Sequence, residues 1–499
     1  AGGPSHHPGH RRFFCVRGGG APAALSRPGP PAGPVPTYES FVRVVSPGSA
    51  QPWVAAQDLS AWGPFAVSAG ALEIATELVQ ALTGRGAQAD LLGDSVQGVQ
   101  TVIVTEGLSH LPVTERHWQV LDICKRLYAS GARIVILEHA GAGGFAQLCG
   151  LKGLSRTLRQ EWPDRSIVTW SLPAGVSLNA QAELVLGAVA SNAPEADLDA
   201  AGTSVMEIGA APGLVQAAPT DANVWFVPGG ARGVTAACVS ELARRQAGST
   251  FVLAGRSGIT PWPEGLQPTS DVKLVRGALI SAAKARGEKP ALPSIDRQAR
   301  ALLAGQEIRH TLDVIAAAGA GAVYLQVDMS NRDSVLAAVQ KITAECGPIT
   351  GLVHGAGVLA DGLALKKTRE DVEYVFGPKV EGLANLIAAI DLSQLRHVGL
   401  FSSASAVFGN TGQSDYAMAN AWLGAVARKL ATQLPAAIVK SFCWGPWDGG
   451  MVDATLAGHF ATRGISLIGL QDGARIFADQ ILQGDRQEIE LLIGDEWAG

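Results

Sequence analysis

The sequence has little excess charge of either sign: 39 Lys and Arg against 44 Asp and Glu leave a net charge of −5 over 499 residues. A surface so nearly balanced attracts neither nucleic acid nor an anionic membrane face, and neither is expected as a partner. Clustered cysteine is missing as well. The six cysteines, Cys15, Cys124, Cys149, Cys238, Cys346 and Cys443, are scattered, with no C-x-x-C and no Cys/His group at metal-ligand spacing. No metal site is expected, and the thiols read as reduced, in a cytoplasmic protein. Long apolar runs are lacking too. Stretches such as "VIAAAGAGAVYLQV" are shorter than the roughly 20 residues a membrane span needs, and glycine interrupts them.

What is present is the composition of a globular α/β protein, with 47% hydrophobic and 17% charged residues. The length calls for two sizeable units. Residues 1–40 form a Gly- and Pro-rich stretch that cannot pack a core, and they read as a linker cut from something longer. Its His6, His7 and His10 read as part of a solvated tail rather than as a metal site. From about residue 60, short β-type runs alternate with helical ones: "FAVSAG", "LEIATELVQALTGRG", "TVIVTEG", "HWQVLDICKRLYASG", "ARIVILEHA". After the Pro/Ala-rich joint "GAAPGLVQAAPTDAN" the rhythm restarts with "VWFVPGGARGVTAACVSELARRQ". Such βαβ alternation predicts parallel sheets covered by helices, in two Rossmann-like halves over 41–217 and 218–499.

The halves differ at the first strand-to-helix turn. In "VWFVPGGARGVT", Gly229, Gly230 and Gly233 put bare backbone N–H groups and a helix N-terminus where a pyrophosphate can sit. The first half offers only Gly70 at the matching point, so it is expected to be structural. A tight βα turn would also use such glycines, but the next strand ends in "AGRSG". There Arg256, with Ser257 beside it, is suited to a 2′-phosphate and favours NADPH, although a surface arginine in a turn is the ordinary alternative. Asp328 in "LQVDMS" is suited to hydrogen-bond an adenine amine. The small residues of "VHGAG" leave room for a cofactor over the sheet edge.

Near the C-terminal end, "NTGQSDYAMANAW" carries Tyr416 and, one helical turn on, Asn420. Ser403 in "FSSAS" stands thirteen residues before the tyrosine, and Lys379 opens "PKVEG" farther upstream. Reduction of a ketone needs an acid for the developing alkoxide, a hydroxyl to hold the oxygen and a cation to lower the phenol's pKa. Each residue alone has an ordinary explanation as turn, core or solvated side chain; the ordered set does not. In this order the sequence resembles the ketoreductase domains of polyketide synthases, in which Lys and Asn have exchanged seats relative to other short-chain dehydrogenases/reductases. "HGAGVLADG", "LFSSASAVFGNTGQSDYAMANAW" and "FCWGPWDGGMV" are most similar to the domains of polyunsaturated-fatty-acid-type iterative synthases, and "GLKGLSRTLRQEWPD" to the truncated structural half of the family.

The resemblance covers nearly the whole chain from about residue 60. It implies NADPH-dependent reduction of a β-ketoacyl thioester on an acyl carrier protein, with other synthase domains as partners. It implies catalytic roles for Tyr416, Ser403, Lys379 and Asn420. Cofactor contacts are expected at Gly229, Gly230, Arg232, Gly233, Val234, Arg256, Ser257, Asp328, Met329, Gly355, Ala356, Gly357 and Pro446. Substrate contacts are expected at Asp361, Phe408, Trp447 and Met451, with Trp447 and Met451 in a lid. In "LAD", Leu359 and Asp361 match the Leu-Asp-Asp of B-type members while Ala360 departs from it, and Phe408 stands where A-type members carry Trp. The balance favours a D-configured product. Pro228, Arg232 and Thr235 also depart from the family's glycine-rich pattern; the missing last glycine puts close helix–strand packing in question. The "LLGDSVQG" stretch around Ser95 lacks the spacing and the helix of a phosphopantetheine site, so the carrier is expected elsewhere. A stretch over about 258–320 is too long for a βα connection and reads as a helical insertion. A free-standing reductase of small ketones or CoA esters, or a non-catalytic scaffold, are the alternative readings.

Overall fold

Two separate sheets take up the two βαβ series. The computed structural model describes residues 42–52, 59–141, 144–215, 222–289, 291–449 and 465–495, with the single residues 458 and 462. The N-terminal stretch with its histidines and Met451 lie outside these.

The strands in chain order are β1 (Val42–Pro47), β2 (Phe65–Val67), β3 (Ala89–Leu91), β4 (Thr101–Val104), β5 (Arg133–His139), β6 (Ile167–Leu172), β7 (Ala196–Asp199), β8 (Gly202–Ser204) and β9 (Met206–Ile208). They continue with β10 (Val224–Pro228), β11 (Thr250–Gly255), β12 (Gly321–Gln326), β13 (Gly351–His354), β14 (His397–Ser403), β15 (Ile438–Trp444) and β16 (Glu490–Ile493). The larger sheet has the order β12-β11-β10-β13-β14-β15-β16-β1-β9, and the smaller β3-β2-β4-β5-β6-β7-β8. From β12 to β16 every pairing is parallel. The central strands β13, β14 and β15 are buried along their whole length, which is why they read as unbroken apolar runs. Strand order reverses between β10 and β13, the place where a doubly wound sheet opens a crevice at its carboxyl edge. The architecture is therefore α/β and Rossmann-like in both halves, and among the described residues the smaller sheet has no counterpart of β12.

The two sheets do not divide at one point of the chain. Strands β1 and β9, from the first stretch, belong to the larger sheet: β1 pairs antiparallel with β16, Val42 opposite Ile493, and β9 pairs with β1. An uncovered β16 would present a buried-type edge to solvent, and β1 closes it. The halves also share a core. Val104 and Leu121 of the first half lie in one apolar cluster with Met418 and Trp422 of the second. At this seam the buttress helix, Leu151–Glu161, lies directly on the long helix Ser414–Gln433. A Cβ at Gly150 would collide with the Met418 carbonyl oxygen, and one at Gly153 with that of Ala417.

The long connection after β11 is helical, as expected. It forms two helices, Val272–Ala285 and Leu292–Ala317, that bury Val275, Leu279, Ile295, Ala299 and Leu302 against each other.

Candidate active site

The carboxyl edge of the larger sheet opens into a cleft of about 1410 Å³. Its floor is the glycine-rich turn. Gly229 has φ +80°, and a Cβ there would lie 2.6 Å from Ala356 N and from Gly355 C, so the two small-residue loops touch through bare backbone. Gly233, φ +62°, faces open space at the start of the helix Gly233–Arg245. Thr235 fills the seat of the family's last glycine, and the packing closes because its neighbour is Gly355: a Cβ on Gly355 would lie 2.5 Å from Thr235 Oγ1.

The matching turn of the smaller sheet is filled by its own side chains. Ser68 Oγ donates to the buried Glu106 carboxylate, Thr105 N–H donates to Ser68 Oγ at 2.8 Å, and a Cβ on Gly70 would strike Glu106. The Glu106 side chain takes the space that a phosphate would need there, and burial raises its pKa.

At the other end of the cleft, the end of β14 delivers Ser403, whose Oγ accepts the Ser405 N–H at 3.1 Å as the cap of a short helix. Tyr416 projects from the first turn of the helix Ser414–Gln433, and Asn420 lies fully buried one turn below it. Asn420 Nδ2 donates to the Tyr416 carbonyl at 2.8 Å, leaving Oδ1 to accept from Lys379 Nζ at 2.9 Å. Lys379 stands on a single π-turn, Gly377–Glu381, a distortion frequent at functional sites. Its Nζ also donates to the Phe401 carbonyl at 2.8 Å and lies 5.3 Å from the centre of the Tyr416 ring. Burial lowers the Lys379 pKa to about 7 and pushes the Tyr416 phenol above its ordinary value. Gly357 stands close beside them: a Cβ there would lie 3.0 Å from Lys379 Cε.

Most residues expected from the sequence face this one cleft. Gly229, Arg232, Gly233, Val234, Arg256, Ser257, Met329, Gly355, Ala356, Gly357 and Pro446 line it, with Lys379, Ser403, Tyr416, Asp361 and Trp447. Asn420 sits behind Lys379 and Tyr416. Four of the expected residues have settings that the sequence did not show. Gly230 packs on Val227 beneath the turn. Asp328 is exposed at the rim, where its carboxylate accepts Ser330 N–H at 3.0 Å and shapes the approach to the next helix. Phe408 does not line the cleft. The short helix Ala404–Phe408 turns it toward Val45 of β1 and Leu492 of β16. Trp447 is a packed wall, 5% exposed, with its ring 4.7 Å from that of Trp444 and against Gly473.

Other contributors gave no sequence motif. Arg232 is paired at 2.6 Å with Glu307 of the insertion, and Thr311 Oγ1 donates to the Ala231 carbonyl at 2.9 Å, so the insertion's long helix pins the glycine-rich turn. Gln413 Nε2 donates to Asp361 Oδ1 at 3.1 Å across the cleft mouth. Among the described residues there is no His/Cys/Asp/Glu group that could hold a metal, and no helix long and apolar enough to cross a membrane.

Similarity to known proteins extends over much of the chain. Residues 223–449 match the family model described as KR domain. A polyunsaturated fatty acid synthase protein of Thraustochytrium sp. is 33% identical over 371 residues, covering 70% of this chain and 13% of that protein. Polyketide synthase PksL of Bacillus subtilis is 30% identical over 243 residues, covering 48% of this chain and 4% of that protein. The chain thus spans a small part of the relatives it matches. Among solved structures, an A1-type ketoreductase superposes with a TM-score of 0.70 at 19% identity, covering 92% of this chain and 93% of that one. A ketoreductase domain from the bacillaene assembly line gives 0.65 at 19% identity, covering 91% and 96%. At such identity the superpositions speak for the fold.

Proposed function

The chain belongs to the family of synthase ketoreductase domains, and on that premise we propose that it reduces the β-ketone of an acyl thioester to the β-hydroxyacyl thioester with NADPH. The acyl chain is carried on an acyl carrier protein domain, and the work is done within a polyketide or fatty acid synthase whose other domains are its partners. The free cysteines among the described residues, four of them buried, suit a reducing, cytoplasmic setting.

The observation that carries this reading is the Lys379–Asn420–Tyr416 arrangement at one end of a cleft whose other end is a glycine-rich turn. The turn fits a dinucleotide: Gly229 admits no side chain, Gly233 opens on free space at a helix N-terminus, and Arg256 stands exposed at the end of β11 for a 2′-phosphate. When bound, the dinucleotide supplies the hydride that reaches the β-carbon. Tyr416 O–H gives its proton to the ketone oxygen as negative charge grows there. Ser403, whose Oγ only accepts the Ser405 N–H, keeps its own O–H to donate to the same oxygen. The Lys379 ammonium stabilises the phenolate left on Tyr416, and Asn420, fixed through Nδ2 to the backbone, holds that ammonium through Oδ1. Asp361 and Gln413 at the mouth present the acyl chain so that a D-configured alcohol results.

The test is NADPH consumption at 340 nm with one β-ketoacyl group offered on an acyl carrier protein, on CoA and on N-acetylcysteamine. The reading expects the carrier thioester to give the highest kcat/KM. Equal use of CoA would favour a free-standing reductase, and no absorbance change with any thioester would favour a scaffold.

A further inference from the structure

A charged pair deep in the protein links the cleft mouth to the backbone of Tyr416. Lys367 Nζ and Asp415 Oδ2 are 2.7 Å apart, with both side chains 1% exposed. Lys367 also donates to the Ala360 carbonyl, next to Asp361, and Asp415 Oδ1 accepts the Tyr416 N–H at 2.8 Å. The connection is thus continuous: Ala360 carbonyl, Lys367 ammonium, Asp415 carboxylate, Tyr416 amide. The first half closes the frame from outside. Lys125 Nζ donates to the Lys367 carbonyl at 2.6 Å, and Glu161 of the buttress helix accepts from Ala364 N–H at 2.7 Å and from Gly412 N–H at 2.8 Å.

We infer that Lys367 and Asp415 are positioning residues that set the Asp361 loop against Tyr416, and so govern both the rate and the stereochemical outcome of the reduction. The inference rests on the ketoreductase reading above. A buried ion pair adds little to stability that well-packed apolar residues would not also give, because desolvation of two charges offsets their attraction. What it does supply is direction. Lys367 has two oxygen partners on two different segments, and each oxygen of Asp415 has its own donor. Apolar substitutes would fill the same space without setting the distance between the loop and the tyrosine.

The experiment uses the full chain with a β-ketoacyl N-acetylcysteamine thioester, comparing wild type with Lys367→Met, Asp415→Asn, the double variant and Lys367→Arg. Readouts are urea stability, NADPH affinity, kcat/KM and the ratio of alcohol enantiomers. Each single neutralisation leaves a buried charge without its partner and is expected to lose stability. The double variant removes both charges, keeps an oxygen at position 415 for the Tyr416 amide, and is expected to recover stability and to bind NADPH as wild type does. Its kcat/KM is expected to stay low, on the order of 10²-fold below wild type, the scale that misplacement by about 1 Å produces. Its enantiomer ratio should move toward equality. Should the double variant fail to fold, Lys367→Arg decides: it keeps the charge but not the reach, and an altered enantiomer ratio is expected. Wild-type kcat/KM and enantiomer ratio in the folded double variant, or in Lys367→Arg, would overturn the inference and leave the pair a packing feature. A wild-type protein that reduces no thioester would instead remove the reading beneath it.

Discussion

Lys379 and Asn420 meet at 2.9 Å, one on a π-turn and the other on the helix Ser414–Gln433, with the ammonium donating to the amide oxygen. Replacing Asn420 by Ala leaves the buried ammonium with the Phe401 carbonyl as its remaining acceptor and frees it to drift from the phenol. Loss of one such preorganised contact is expected to cost about 10²-fold in kcat, and steady-state kinetics with a saturating thioester measures it.

The same burial sets a pH limit. The productive form of Lys379 is the cation, and its pKa in the free protein is lowered to about 7. The charge is therefore lost as pH rises through that value, and kcat/KM for reduction, which reports the free enzyme, is expected to fall on the alkaline side of about 7. A kcat/KM profile flat to pH 9 would show that the ammonium does not titrate in the free site.

Contact between the halves is close enough for a single methyl group to disturb it. Gly150→Ala drives a Cβ into the Met418 carbonyl at the seam and is expected to destabilise the protein by about 1–3 kcal/mol, the usual cost of overpacking. Gly84→Ala, at the end of a helix with nothing within 4 Å, is the control and should be neutral. Urea denaturation of both variants checks the pair.

Arg256 is exposed at the end of β11 and lines the cleft. If it meets the 2′-phosphate, Arg256→Ala should raise KM for NADPH roughly tenfold, the scale of one charge-assisted hydrogen bond, and leave KM for NADH unchanged. Equal effects on the two cofactors would argue against that contact.

The sequence made some of this arrangement legible and hid the rest, for physical reasons. Glycines at a strand-to-helix turn and a Tyr four residues before an Asn are local patterns, because one turn of backbone brings their groups together. Ser403 and Lys379 could be added because family order supplied what distance along the chain could not. Partner choice among strands is not local: nothing in Val42–Pro47 announces pairing with Glu490–Ile493. Side-chain direction at an element's end is equally opaque, which is why Phe408, close in sequence to cleft residues, packs instead against the cluster of Val45 and Leu492. Lys367 reads as one charge in the solvated-looking run "KKTRED", and its burial against Asp415 exists in three dimensions alone.

The central claim is that Tyr416 is the acid of a ketone reduction, and a single-turnover comparison tests it most directly. Wild type and Tyr416→Phe, each preloaded with NADPH, are mixed with a β-ketoacyl N-acetylcysteamine thioester, and the loss of absorbance at 340 nm is followed. The account predicts that both bind NADPH equally and that only the wild type oxidises it and yields β-hydroxyacyl product. Substantial turnover by Tyr416→Phe, at a rate near that of the wild type, would contradict it.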